Sequence, residues 1–171
     1  MFDRIFDFIA AVWEWFIPFT VINAYEQGVV LRFGKFHHVV KPGLRWLIPF
    51  GIDEVKYETV VRQTSYLDVQ SLTTKDKKSI SIAGIIVYKI DDIRMFLLDI
   101  DDGEVDMNNI VYGIISEHVE KYKWEDVLGA GFHTAITRAT KRACNKYCGV
   151  KVIAIKWSDK TVARSLRLWN D

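Results

Sequence analysis

Hydrophobic and polar positions alternate most regularly from Ser79 to Ile90. Ile80, Ile82, Ile86, Tyr88 and Ile90 share one side, and Ser79, Ser81 and Lys89 share the other. A period of two belongs to a strand with one face on a core, and it predicts an antiparallel sheet here. Upstream, Val29, Val30, Leu31 and Phe33 precede Gly34 and Lys35, so Gly28 to Phe36 is predicted as a strand, a tight turn and a returning strand. Ile52 to Gln70 is strand-rich, and the charged stretch Thr73 to Lys78 makes the turn into the alternating run. After Asp91 the spacing becomes helical, in Ile93 to Leu98, in Val105 to Tyr122 and in Trp124 to Tyr147. Gly149 is placed to stop the last of these helices. Val150 to Trp157 alternates again as a strand, and Ser158 is expected to cap a short terminal helix with Val162, Leu166 and Trp169 on one side.

Strands first, helices later and one closing strand predict the α+β class. No repeat, low-complexity tract or linker interrupts the chain from Tyr25 onward. Residues 24–157 therefore read as one domain, with an anchor over 1–23 and a short helix over 158–171. Pro42 and Gly43 introduce an apolar loop, Trp46, Leu47, Ile48, Pro49 and Phe50, which must be buried or embedded.

The amino-terminal segment has a different pattern. Phe8 to Ile22 holds one charge, Glu14, and as a helix would extend about 22 Å against roughly 30 Å of hydrocarbon. It is short for a crossing, and Asp3 and Asp7 occupy the place where a signal peptide carries positive charge. On a helical projection Asp3, Asp7 and Glu14 gather within about 40° of one another. Phe2, Ile5, Phe6, Ile9, Val12, Trp13 and Phe16 fill the opposite side. With Phe8, Trp15 and Phe19 close by, this is an amphipathic helix suited to lie in one leaflet, ended or bent by Pro18. Packing on the protein's own core or a sister subunit, or a bundled spanning helix, are the other readings. The mean hydropathy of +0.05 owes much to this aromatic start.

Charge and chemistry narrow the function. The net charge is +1 with both signs well mixed, so nucleic acid is not an expected partner. Cys144 and Cys148, four apart in a helix, suit neither a disulfide framework nor a zinc site, and they read as reduced thiols in a domain facing a cytoplasm-like compartment. His37, His38, His118 and His133 show no metal-ligand spacing. The acids Asp99, Asp101, Asp102, Glu104 and Asp106 fail the calcium-loop register, since its sixth and twelfth positions are Glu104 and Ile110. They suit the start of a helix near Glu104 instead. Gly129-Ala130-Gly131 lacks the third glycine of a phosphate loop and reads as a break between helices. No catalytic, cofactor or metal site is expected.

The run Glu26-Gln27-Gly28-Val29-Val30-Leu31-Arg32-Phe33-Gly34-Lys35, followed by Lys41-Pro42-Gly43-Leu44 and Trp46-Leu47-Ile48-Pro49-Phe50, resembles the SPFH, or band 7, domain of stomatin, prohibitin, flotillin and bacterial HflK and HflC proteins. The likeness continues through Thr73-Thr74-Lys75-Asp76, Ile85 to Asp92 and Gly149 to Asp159. The resemblance implies a membrane-proximal β lobe around Gly28 to Gln63, an α/β lobe after it, and a Trp46 to Phe50 loop dipping into the leaflet. It also implies a non-enzymatic scaffold that assembles into homo-oligomeric rings or cages, organises membrane microdomains and regulates channels or membrane proteases. The expected membrane contacts are thus Phe2, Ile5, Phe6, Phe8, Ile9, Val12, Trp13, Trp15, Phe16, Phe19, Trp46, Leu47, Ile48 and Phe50. Two departures stand out. The family usually continues into a long coiled coil where this sequence stops at Asp171, and no cysteine lies near the anchor for lipidation.

Overall fold

The computed structural model describes residues 19–162. Strand β1 (Phe19–Ile22) pairs with β4 (Gly43–Trp46) as a two-stranded ribbon. Strand β2 (Glu26–Arg32) lies between β3 (Lys35–Val40) and β5 (Asp53–Thr59) in a second sheet. A third sheet has the order β6 (Gln63–Thr73), β7 (Ser79–Ile90), β8 (Val150–Val162). Every strand pair is antiparallel. Between β7 and β8 come a π-helical turn (Met95–Asp99) and helices α1 (Gly103–Val119), α2 (Trp124–Leu128) and α3 (Ala130–Cys148).

The main core lies between the third sheet and α1 with α3. In β7 every second residue is buried, as its alternation predicts. Ile80, Ile82, Ile86 and Tyr88 meet Met107, Val111, Ile115 and Val119 of α1 and Phe132, Ile136, Cys144 and Cys148 of α3 in one cluster. Side chains four residues apart on a helix form one stripe, so each helix turns its stripe to the sheet. Full burial of each large apolar side chain contributes about 1.5–3 kcal/mol. Asp102 starts α1 by accepting from the backbone N–H groups of Glu104 and Val105, both at 3.0 Å. Helix α3 ends where expected, at Gly149, whose φ of +64° is the left-handed conformation that glycine adopts without strain.

In β2 the alternation gives way to a buried run from Gly28 to Leu31, because both faces of the strand are covered. Val30 joins Ile22 and Val40 beneath the ribbon, while Val29 joins Ile90 and Ile93 beside the π-helical turn. That second cluster seams the two lobes together. Gly28 is required by close approach, since a Cβ there would lie 2.5 Å from the Lys56 carbonyl oxygen. The β2–β3 hairpin turns through Phe33 and Gly34 at φ of 51° and 72°, the paired positive values of a type I′ turn.

One expectation is corrected here. Strand β8 runs on through Ser158 to Val162, pairing Lys160 with Ile82 and Val162 with Ile80, so Ser158 lies in a strand and does not cap a helix. The twelve-residue β7 offers a pairing partner along its whole length. The rest of the expected terminal helix lies outside the described residues.

Candidate functional site

Two of the four histidines are engaged structurally. His118 Nδ1 donates to the Ile114 carbonyl and His133 Nε2 to the Ile155 carbonyl, each at 2.8 Å. Among the described residues no group of His, Cys, Asp and Glu is placed to hold a metal ion. Both cysteines are free and fully buried, and burial pushes the Cys144 thiol up to about 12 and the Cys148 thiol to about 11. Asp102 is occupied as the α1 cap.

The unusual surface is the end of the first lobe. In the β1–β4 ribbon Phe19 stands opposite Trp46 and Val21 opposite Leu44, which puts all four side chains on one face. All are exposed, Trp46 at 76 %, and the Phe19 and Trp46 rings lie 6.5 Å apart. Thr20, Ile22 and Arg45 take the other face, where Ile22 is buried and Arg45 donates to the carbonyls of Lys41 and Pro42. A ribbon of this length would ordinarily turn polar residues to water. Here a contiguous apolar face is turned outward instead.

Two turns extend this end. Phe33, 74 % exposed, and Phe50 both have positive φ, at 51° and 67°. A left-handed conformation costs a bulky residue about 1–2 kcal/mol, so these aromatic rings are displayed at an energetic cost. The turns are tied together where the Phe33 N–H donates to the Ile52 carbonyl at 2.8 Å.

Beneath them Asp53, its side chain 2 % exposed, accepts from Arg32 Nε at 2.8 Å, Arg32 Nη2 at 3.0 Å and the Ile48 N–H at 2.9 Å. The Arg32 hydrogen bonds hold the Asp53 carboxyl down at about 2, against the opposing effect of burial, and the Ile48 N–H adds to them. The Asp53 N–H in turn donates to the Ile48 carbonyl, closing the loop on both sides. A charged clamp under the loop thus keeps Ile48 and Phe50 presented.

Of the expected contact residues, Phe19, Trp46, Ile48 and Phe50 are exposed, and Phe19 and Trp46 stand side by side on the ribbon. Leu47 instead turns inward, partly buried against Ile22, Val30 and Val40. The loop divides accordingly, with Leu47 turned inward and Trp46, Ile48 and Phe50 exposed. Phe2, Ile5, Phe6, Phe8, Ile9, Val12, Trp13, Trp15 and Phe16 lie outside the described residues. Val21, Leu44 and Phe33 were missed, although Phe19/Val21 and Leu44/Trp46 carry the period-two signal of a one-sided ribbon. No helix among the described residues is long and apolar enough to cross a membrane.

Charge, expected to be well mixed, is segregated. Residues 130–162 carry seven Lys and Arg against the single acid Asp159, while residues 19–129 carry 13 basic and 17 acidic side chains.

The described residues form a two-lobed α+β domain whose first lobe ends in an exposed apolar face built from strands and turns. Residues 20–163 match the SPFH domain / Band 7 family, and the chain belongs to that family. It is 31% identical over 126 residues to the Escherichia coli protein named modulator of FtsH protease HflK, covering 72% of this chain and 29% of that one. Protein HflK of Haemophilus influenzae is 27% identical over 129 residues, 75% of this chain and 31% of its own length. An uncharacterized protein of Methanocaldococcus jannaschii is 26% identical over 109 residues, 64% of this chain and 54% of its own. The chain therefore spans about a third of the HflK proteins and about half of the archaeal relative.

Proposed function

We propose that this protein is a non-enzymatic membrane-associated scaffold, whose first lobe rests its apolar end in one leaflet beside the amino-terminal segment and whose copies assemble into a ring or cage. Such an assembly organises a patch of membrane and modulates the proteins within it. The observation that carries the reading is the exposed face of Phe19, Val21, Leu44 and Trp46, extended by Phe33, Ile48 and Phe50. Phe19 follows directly on the aromatic segment 1–18, so the two parts of the anchor are continuous in the chain. Trp46, with most of its ring in water, gains about 1.5–2 kcal/mol on entering the acyl boundary.

The test is flotation of the full chain with liposomes. The full-length protein is expected at the top of the gradient, and Leu44→Ser with Trp46→Ser is expected to weaken partitioning by about 30-fold or more. Full-length protein that stays at the bottom, or a double variant that floats as well as the parent, refutes membrane contact through this face. Electron microscopy of the lipid-bound protein tests assembly, and isolated monomers on the bilayer would refute the ring.

A second reading follows from the name of the Escherichia coli relative, a modulator of a protease. Here the protein is an accessory subunit of a membrane protease, with the same fold and anchor. Recovery of a protease with the detergent-solubilised protein supports it; altered substrate turnover on deletion of the gene, without co-purification, argues for the scaffold acting through lipid.

A further inference from the structure

Helix α3 contains no acidic residue, and its outer side presents Arg138, Lys141 and Arg142. None of these, nor Lys151 on β8, forms an ion pair among the described residues, where the three pairs are Arg32–Asp53, Lys78–Asp76 and Lys121–Glu117. Two adjoining hollows of about 460 and 390 Å³ share Lys141 and Arg142. The first reaches His133, and the second reaches Asn145, Lys151 and Val152. One groove therefore follows α3 from His133 to Asn145, roughly 18 Å, the length of five or six residues of extended chain.

Strand β8 borders this groove and, among the described residues, is an edge strand bonded to β7 alone. Beside the groove β8 turns backbone N–H and C=O groups away from the sheet, though the register shift at Ile153 and the His133 bond to the Ile155 carbonyl interrupt their alternation, so an added strand pairs over a short stretch. His133 ties the start of α3 to the Ile155 carbonyl, so helix and strand hold a fixed spacing. Backbone pairing sites beside unpaired cations specify an extended ligand bearing carboxylates.

We propose that the groove between α3 and β8 takes an extended acidic segment of a partner protein, which adds as a strand to the β8 edge and sets its Asp or Glu side chains against Arg138, Lys141 and Arg142. Another copy of this chain is a poor source for that segment within residues 19–162. Its acidic stretch is already folded, with Asp92 accepting from the Arg94 and Met95 N–H groups and Asp102 capping α1. Nucleic acid fits less well, because Asp91 also lines the groove and no Phe, Tyr or Trp ring does. The proposal stands independently of membrane contact at the opposite lobe.

The probe is a fluorescein-labelled eight-residue peptide of alternating Glu and Val, read by anisotropy against the detergent-solubilised full chain. Saturable binding is expected that weakens at least about tenfold in each of two double variants, Lys141→Glu with Arg142→Glu and Arg138→Glu with Lys141→Glu, both checked for unchanged melting. N-methylation of alternate peptide amides is expected to cost about tenfold as well, because it removes strand pairing without touching charge. Absence of binding, binding indifferent to N-methylation, or binding unchanged in both variants overturns the proposal. So does tighter binding of a single-stranded oligonucleotide of equal charge. Self-association that both variants abolish would give the groove to a second copy and also overturn it.

Discussion

Replacing Asp53 by Asn tests whether the charged clamp holds the apolar end in place. The substitution keeps the shape and one acceptor oxygen but removes the charge from three hydrogen bonds, two to Arg32 and one from Ile48. Hydrogen bonds to a charged group contribute about 1.5–3 kcal/mol. The 3–5 kcal/mol lost on breaking a wholly buried pair does not apply, because the Arg32 side chain is 35% exposed and regains water. We expect Asp53→Asn to cost about 1.5–3 kcal/mol at neutral pH, which lowers the melting temperature by about 3–12 °C for a chain of this size.

The effect depends on pH with a definite sign. The folded-state pKa of Asp53 is depressed to about 2 from 3.8, so its contribution is fully present above the unfolded value and is lost as pH falls toward 2. Urea unfolding of parent and variant at pH 7 and near pH 2.5 measures it. The gap between the two proteins should shrink at acid pH, and a gap of equal size at both values refutes the ionic account of the clamp. Liposome binding of the variant should also fall, because the Ile48 to Phe50 loop loses its support.

Phe33→Asn is expected to relieve left-handed strain and raise stability by about 0.5–1 kcal/mol while weakening liposome binding, measured by urea unfolding and flotation together. Gly28→Ala places a methyl group 2.5 Å from the Lys56 carbonyl oxygen and should destabilise by about 1–3 kcal/mol, seen as a lower urea midpoint. Cys144 and Cys148 should react with a thiol reagent at pH 8 only as fast as the protein opens, and promptly in urea, since burial keeps both protonated; rapid labelling of the native protein would contradict their packing.

The sequence by itself determined the elements whose signals are local. The two-residue alternation of β7, the Phe33-Gly34 turn and the stop at Gly149 each depend on neighbours a few residues away, and each appears as expected. The α+β order follows from them. The apolar character of the Trp46 to Phe50 loop was legible in the sequence, and its expected membrane role only through the family resemblance. Its division into Leu47 inward and Trp46, Ile48 and Phe50 outward was not, because that depends on where Ile22, Val30 and Val40 lie.

Only the tertiary structure decided the rest. Ser158 to Val162 has helix-compatible spacing, yet the unpaired length of β7 draws it into the sheet, since pairing along a partner strand outweighs weak local preference. Val21 and Leu44 stand 23 residues apart in sequence and become one face only when β1 pairs with β4. Asp53 is an ordinary acid in the sequence and becomes a clamp because Arg32 and the Ile48 N–H are brought to it from separate segments. Helical and strand periodicities are written within a few residues, whereas a surface or a buried ion pair is made by segments that meet only after folding, and so it is settled by packing.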